Sequence, residues 1–458
     1  CALNETEQLA CWGFAGNGRL ADGKTGIEPF DGDSPSYASP VVGVAPGREH
    51  LCLHGANATV FCFGSNFYQQ SLAISPPRQI VTFSGQVDGK STSSFTPDRV
   101  YAGERFTVVL SKGANSYVFA WGANGRSQVS PVPDPTLVLP AAHNTISPNY
   151  RDMVEPVTAG YAHVCGLEKQ LTGDLVLSCW GDNSIGQLGS MKSSNLIEPV
   201  VGLPDDFVTL NLDAGDDVTC VVGYSESESG GMNPDLYCWG KDVGLWGAPD
   251  VMQKNAPVPK KLASFPLPDF VQKITVGGGH ACILTRSGLI QCMGRNDFHQ
   301  ISPDDEAMLS ELTLVPQPNG MIFTDVSAGH QHTCALAQRD GDTADVPQQS
   351  VYCWGDNHLG QSGLVGDVLE DNHVLVEPTL LEPPDMDQLD PAWRPGFIEA
   401  GWATTCAMSQ SNDSDINPIY QAHCWGNNSH GQAHQRKLAE YDERPPQITI
   451  YPSIVWRP

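Results

Sequence analysis

Short apolar runs alternate with polar residues along the whole chain, each bounded by Gly, Pro, Asn or Asp. Phe323-Thr-Asp-Val-Ser-Ala-Gly329 is an alternating apolar stretch, and Val351-Tyr-Cys-Trp-Gly355 is a short apolar run after an intervening hairpin, so both read as strands. Between them stands His332, three residues after the glycine, followed by Cys334-Ala-Leu; behind them comes Asn357-x3-Gln361. This pattern predicts three strands, and the Gly/Pro-bounded apolar run after each Gln supplies a fourth. The Trp-Gly position recurs at Trp12, Phe63, Trp121, Trp180, Trp239, Met293, Trp354 and Trp425. An end-to-end repeat of this length is one supersecondary unit used many times, because a single copy cannot bury its apolar face. The expectation is an all-β chain in which residues 1–458 form one domain, a closed array of four-stranded antiparallel units.

The 14 cysteines fall into local couples, and each second member stands just before a Trp-Gly position. The couples are Cys1/Cys11, Cys52/Cys62, Cys165/Cys179, Cys220/Cys238, Cys282/Cys292, Cys334/Cys353 and Cys406/Cys424. The third repeat lacks both partners at once, with Val108 and Ala120 in the aligned places. Joint loss is what a covalent pair predicts. Metal sites would need Cys-x2-Cys or neighbouring His couples, and the chain has none. Seven disulfides within repeats are therefore expected, in an oxidising compartment.

With 25 basic and 52 acidic residues the formal net charge is -27, which repels phosphate backbones and argues against a nucleic-acid partner. The 46 glycines and 35 prolines favour strands and turns over helices. No run of 18 apolar residues exists, so no membrane insertion is expected within this segment. The chain begins at Cys1 without Met, which reads as a leader removed or left out.

Gly160-x2-His163 with Trp180-Gly-Asp-Asn183-Ser-Ile-Gly186-Gln187, and the matching residues of the seventh repeat, resemble the regulator-of-chromosome-condensation repeat. The resemblance implies a β-propeller, and the disulfide-bearing copies are similar to the secreted branch seen in crinkly-type plant receptor-kinase ectodomains. Such propellers usually have seven blades. The motif count here favours eight, with a seven-bladed ring plus one extra repeat as the alternative. Repeat one starts at its second strand, and Gln447 to Trp456 has strand character with no motif after it. Joining these N- and C-terminal strands is expected to complete the first blade and close the ring.

Gly18-x4-Gly23-Lys24-Thr25 matches a phosphate-binding loop letter for letter, but Gly- and Pro-rich sequence follows where that loop needs a helix. His50, His163, His280 and His332 share one repeat position, two before a cysteine. Copies on different blades stand too far apart to share an ion, so a turn-stabilising hydrogen bond inside each blade is expected. The repeated Trp side chains are expected in the core between blades. Asp340, Asp342 and Asp345 lack the bidentate Glu and spacing of a calcium loop. No nucleophile elbow, zinc helix or Cys/His dyad appears, so neither catalytic residues, cofactor nor metal is expected.

Asn4, Asn57 and Asn412 are glycosylation acceptors in the hairpin of a cysteine couple, and Asn427 is a fourth acceptor. Three connectors are long and Pro-rich: Ser84 to Val100, Ser130 to Pro156 and Leu364 to Pro395. The last is acidic, with Asp367, Glu370, Asp371, Asp385, Asp387 and Asp390. Those acids, with Trp393 and Trp246 as aromatic anchors, are the candidate partner-binding residues. The expected function is a secreted or cell-surface, non-catalytic module that recognises an extracellular protein or glycan, within a larger receptor or assembly. Recognition is assigned to the face with the long loops, because the short Gly-x2-His and Trp-Gly-x-Asn turns read as nearly alike in every copy. The alternatives are a guanine-nucleotide exchange factor by family analogy, opposed by the cysteines, and a carbohydrate-active enzyme, which would need a carboxylate pair in a pocket.

Overall fold

A computed structural model of the chain describes backbone strands between residues 2 and 454. It describes side chains over 97–101, 103–111, 118–129, 153–191, 197–225, 233–242, 256–265, 269–342, 349–358, 360–362 and 374–381, with a few positions besides. Among the described residues every regular element is a strand. Repeats four to eight each form a four-stranded antiparallel sheet whose strands pair in chain order, as does repeat two; the sheet of repeat three has three described strands. Blade six, for example, runs Val271–Val276, His280–Thr285, Ile290–Arg295 and Met308–Leu314. Blade seven runs Met321–Ala328, His332–Arg339, Gln349–Asp356 and Val374–Leu380. First strands of successive blades touch one another from blade four to blade eight, which sets them around a common axis. The architecture is a β-propeller.

The apolar pattern explains the stacking. Alternate residues of the two middle strands point to opposite faces, and each face meets the next blade. Phe106, Val108 and Leu110 of blade three pack with Met153, Val164 and Trp180 of blade four. Leu284, Ile290 and Ile301 of blade six pack with Phe323, Ala335 and Trp354 of blade seven. Trp180, Trp239 and Trp354 are wholly buried in these inter-blade cores. Burying an aromatic of that size stabilises by roughly 1.5–3 kcal/mol, which is why the Trp-Gly position punctuates the repeat.

Each described cysteine couple faces itself across the second and third strands. Cys165–Cys179, Cys220–Cys238, Cys282–Cys292 and Cys334–Cys353 are bonded, with Cα atoms 4.1–4.2 Å apart. Cys52 and Cys62 are register partners, as are Cys406 and Cys424, while Cys1 and Cys11 lie outside the described residues. Val108 stands opposite Ala120 in blade three, so an apolar pair fills the same slot.

The C-terminal strand corrects one expectation. Ile448–Ile454 pairs with Ile419–Asn427 as the outer strand of blade eight, not with the blade of Cys1. The reason lies in its own repeat: blade eight also needs an outer strand, and Ile448–Ile454 fills the place that Val374–Leu380 fills in blade seven. Repeat one is seen as the hairpin Ala2–Leu3 with Leu9–Ala10, lying against the third strand of blade eight.

Candidate partner-binding surface

Three tiers of residues line the axis, set by their distance from the glycine that ends each first strand. Two residues before it stand Thr158, Asp213, Thr275 and Ser327, and each accepts a backbone N–H of the following blade. Ala214 donates to Thr158 Oγ1 at 3.1 Å, Val276 to Asp213 Oδ2 at 2.9 Å, Ala328 to Thr275 Oγ1 at 3.1 Å and Ala400 to Ser327 Oγ at 3.0 Å. Four residues before it stand Asn211, Lys273 and Asp325; Lys273 Nζ reaches Asp325 at 2.7 Å. The glycines themselves touch: a Cβ on Gly160, Gly215 or Gly277 would fall 2.7, 2.4 or 2.3 Å from the carbonyl oxygen of the next blade's glycine. Only glycine permits that approach.

A second ring of bonds joins the blades near the short turns. His163 Nε2 meets Thr219 Oγ1, His280 Nε2 meets Thr333 Oγ1, and His332 Nε2 meets Thr405 Oγ1, each at 2.8 Å. In every case the threonine belongs to the following blade, so these histidines tie neighbours together instead of bracing their own turn. The sequence-based expectation of a bond within the blade is corrected accordingly. Each threonine hydroxyl donates to the carbonyl of the repeat glutamine, Gln187 at 3.2 Å, Gln300 at 2.8 Å and Gln361 at 2.8 Å. That carbonyl also takes the indole N–H of Trp239, and Gln128 takes that of Trp180. Asn296 Oδ1 and Gln300 Oε1 accept backbone N–H groups of Ile301 and Phe298, which holds the glutamine carbonyl in place. The signal for this latch was present in the chain. Where the histidine is replaced, by Phe106 or Val218, the next blade has Val164 or Ala281 in place of threonine.

The threonine proton is committed to the carbonyl, so the histidine must donate from Nε2 and leaves Nδ1 bare. Nδ1 of His163, His280 and His332 is buried without a described partner. Burial lowers these rings to about 4, 3 and 3, with His330 adding to the effect at His280. Asp213 runs the other way. It borders the axis, half-buried at its surface but crowded by neighbouring strands, and that crowding raises it to about 6 against the opposing N–H groups of Val276 and Ala214 and the Thr158 hydroxyl. The unfolded chain binds protons to three histidines near 6.5 while the folded chain does not, so their contribution is complete above 6.5 and is lost as pH falls towards 4 and 3. Asp213 contributes fully below 3.8 and loses that contribution as pH rises through 6. Three groups outweigh one, so the melting temperature should fall on acidification from pH 7 to 4. Thermal scans check this; His280→Val with Thr333→Ala should flatten the profile, and an unchanged slope in that variant would refute the assignment.

The residues just after each axial glycine form the mouth on the short-turn face. They are Glu104, Tyr161, Asp216, Gly278 and His330 in blades three to seven. Glu104 N donates to Tyr161 O and Tyr161 N to Asp216 O, which chains neighbouring blades along the rim. His330 lies over Gly278, and its Nδ1 is 3.8 Å from Asp216. Around them run the ion pairs Arg126–Asp182, Lys241–Asp217 and Arg295–Asp297. This face is therefore not uniform from blade to blade, contrary to the expectation from the turn motifs. The two variable positions of Gly-x2-His project here, and motif reading passes over variable positions.

Asp367, Glu370, Asp371, Asp385, Asp387, Asp390, Trp393 and Trp246 lie outside the described residues, as do Asn4, Asn57, Asn412, Asp345 and the Gly18–Thr25 stretch. Part of the acidic connector is described: Val374–Leu380 is the outer strand of blade seven, with Glu377 exposed. On the same face the hairpin tip of blade four carries Leu171, fully exposed. Among the described residues no cluster of three metal-ligating side chains occurs.

Residues 271–300 and 323–361, running from the first strand to the Asn–Gln turn of blades six and seven, match the "Regulator of chromosome condensation (RCC1) repeat". The chain is 31% identical over 214 residues to the Arabidopsis thaliana ultraviolet-B receptor UVR8, a match covering 45% of this chain and 42% of that protein. It is 27% identical over 213 residues to the human E3 ubiquitin-protein ligase HERC2, covering 46% of this chain and 4% of that one. The match thus spans less than half the length of either relative. Among solved structures, human WBSCR16 aligns with a TM-score of 0.60 at 17% identity, over 85% of this chain and 96% of that one. Prp20p of Saccharomyces cerevisiae aligns with a TM-score of 0.57 at 16% identity, over 86% and 89%. These likenesses concern the fold. RCC1-type propellers form a protein-binding family, and the blade-to-blade latches supply the rigid frame on which such a surface is carried.

Proposed function

We propose that this propeller is a non-catalytic, extracellular recognition module that binds a protein or glycan through the face carrying its hairpins and long connectors. The observation that carries the reading is the set of four buried disulfides inside an RCC1-type frame. Disulfides persist in oxidising compartments and are rare in the reducing cytosol, where small GTPases reside. Loops on a rigid scaffold tolerate the differences that specific recognition needs. The acidic connector from Leu364 to Pro395 favours a basic partner, with Asp367, Asp385, Asp387 and Asp390 as contributing carboxylates and Trp393 and Trp246 as anchors. Sugars at Asn4, Asn57 and Asn412 would shield blades one, two and eight and leave blades three to seven open.

The test replaces residues 383–392 with a Gly/Ser linker, which spares the outer strand Val374–Leu380. Binding to extracellular-matrix and glycan arrays prepared from the native source is then compared with that of the parent. The expected result is at least a tenfold loss of array signal with the melting temperature within a few degrees. Undiminished binding in the linker variant, or loss only on substituting Glu104, Tyr161 and Asp216, would transfer the surface to the short-turn face.

A further inference from the structure

Among the long outer strands of blades five to eight, the edge of blade six is the exception. In blades five to eight, one residue of the outer strand faces the third-strand cysteine: Lys260 opposite Cys238, Thr313 opposite Cys292, Thr379 opposite Cys353 and Ser453 opposite Cys424. The preceding residue is Pro259 in blade five, Pro378 in blade seven and Pro452 in blade eight. Blade six has Leu312 there. Val315 N donates to Ile290 O at 2.9 Å, and Leu381 N donates to Val351 O at 2.9 Å in blade seven. Strand N–H groups alternate in direction, so counting back three residues aims the N–H of Leu312, and the place of Pro378, away from the sheet. Proline at that register removes an outward donor at no cost to the ladder. It is how edge strands are kept from pairing with other chains.

The other described edges carry further protection. Blade five adds Pro257, Lys260 and Lys261 along Ala256–Ser264. The outer strands of blades two and four are two residues long, Ile80–Val81 and Glu198–Pro199. Met308–Leu314 has seven residues and neither Pro, Lys nor Arg. Met308 and Leu314 are 41% and 53% exposed, so apolar surface accompanies the outward-facing backbone groups. Asp304, Asp305, Glu306 and Glu311 flank or occupy the strand and are all exposed, and no Lys or Arg occurs between Arg295 and Arg339.

We propose that Met308–Leu314 is a strand-addition site, where an extended segment of a partner protein with alternating basic and apolar residues pairs with the N–H and C=O groups of Leu312 and Leu314. Backbone pairing supplies the attachment, and the surrounding carboxylates select a basic strand. A second copy of this chain is disfavoured as occupant, because two such edges would set their acidic flanks against each other. This site is separate from the long-loop face and stands whether or not that face binds anything.

The probe is a fluorescent nine-residue peptide of alternating Lys and Val, blocked at both ends. A Glu/Val peptide and a Lys/Pro peptide of equal charge serve as controls. Titration followed by anisotropy should show one site for Lys/Val and at least tenfold weaker binding of both controls. Leu312→Pro should weaken binding tenfold or more. Leu312 also packs against the core of blades five and six, so Glu311→Lys, at an exposed side chain, gives an independent loss without that packing change. Pro378→Leu should open the matching edge of blade seven and raise the stoichiometry from one to two. Hydrogen exchange should show new protection at the amides of 312 and 314. Equal binding of the Lys/Pro peptide, or of Lys/Val to folded Leu312→Pro and Glu311→Lys, would overturn the proposal. So would a dimer of the parent chain that dissociates on Leu312→Pro, since the occupant would then be a second copy.

Discussion

Removing the disulfides of blades four to seven should unfold those blades under conditions where the oxidised protein is native. The bonded cysteines are separated by 14, 18, 10 and 19 residues. Closing loops of that length stabilises by about 3 kcal/mol each on the chain-entropy account. A whole domain is stable by only about 5–15 kcal/mol, so loss of all four removes a contribution of the same size as the total. All eight sulfurs are buried, so reductant acts only after a blade has opened, and reduction of the folded protein should be slow. The substitution that isolates the effect copies blade three: Cys282→Val with Cys292→Ala, after the Val108–Ala120 pair. One such pair should lower the melting temperature by several degrees, and four pairs should abolish cooperative melting. Differential scanning calorimetry decides it; a fourfold variant that melts close to the parent would show that blade packing alone holds the array.

The second large effect is expected at the His332–Thr405 latch, where single substitutions should each cost more than the pair predicts. Both residues are fully buried. Thr405→Ala leaves Nε2–H of His332 without an acceptor, and an unsatisfied buried donor costs about 1–3 kcal/mol. His332→Val removes the same bond from the other side and leaves space where the ring stood, with an expected loss of about 2–4 kcal/mol. Together they recreate the junction already present between blades five and six, where Val218 precedes Ala281. The double variant should therefore be less destabilised than the sum by about 1–2 kcal/mol, the coupling expected of residues in contact. Strict additivity in denaturant unfolding would mean that the latch contributes nothing beyond packing.

How much of this was legible beforehand differs from residue to residue. Strand order within a blade, the pairing of cysteines in blades four to seven and the burial of Trp180, Trp239 and Trp354 follow from spacing and the apolar pattern. Those properties are local: strands adjacent in the chain are adjacent in space, so hairpin register carries Cys334 to Cys353 with no knowledge of the rest. The direction of the histidine bond was misread for the opposite reason. His332 and Thr405 are 73 residues apart, and a motif describes one repeat, whereas the bond spans two. The compensating losses at Phe106/Val164 and Val218/Ala281 held that information, but they have meaning only once the ring sets blade against blade.

The chain alone thus determined the repeating unit, because strand pairing and hairpin register are set between neighbours within one repeat. Tertiary structure decided what depends on neighbours. It gave the C-terminal strand to blade eight, turned the repeat histidines into ties between blades, and gathered Glu104, Tyr161, Asp216 and His330 at one mouth. It also placed Pro259, Pro378 and Pro452 at one register, against which Leu312 stands out. Apart from the C-terminal strand, which pairs within its own repeat, each of these is a relation between residues more than 50 positions apart, fixed by rotation about a common axis that no single repeat encodes.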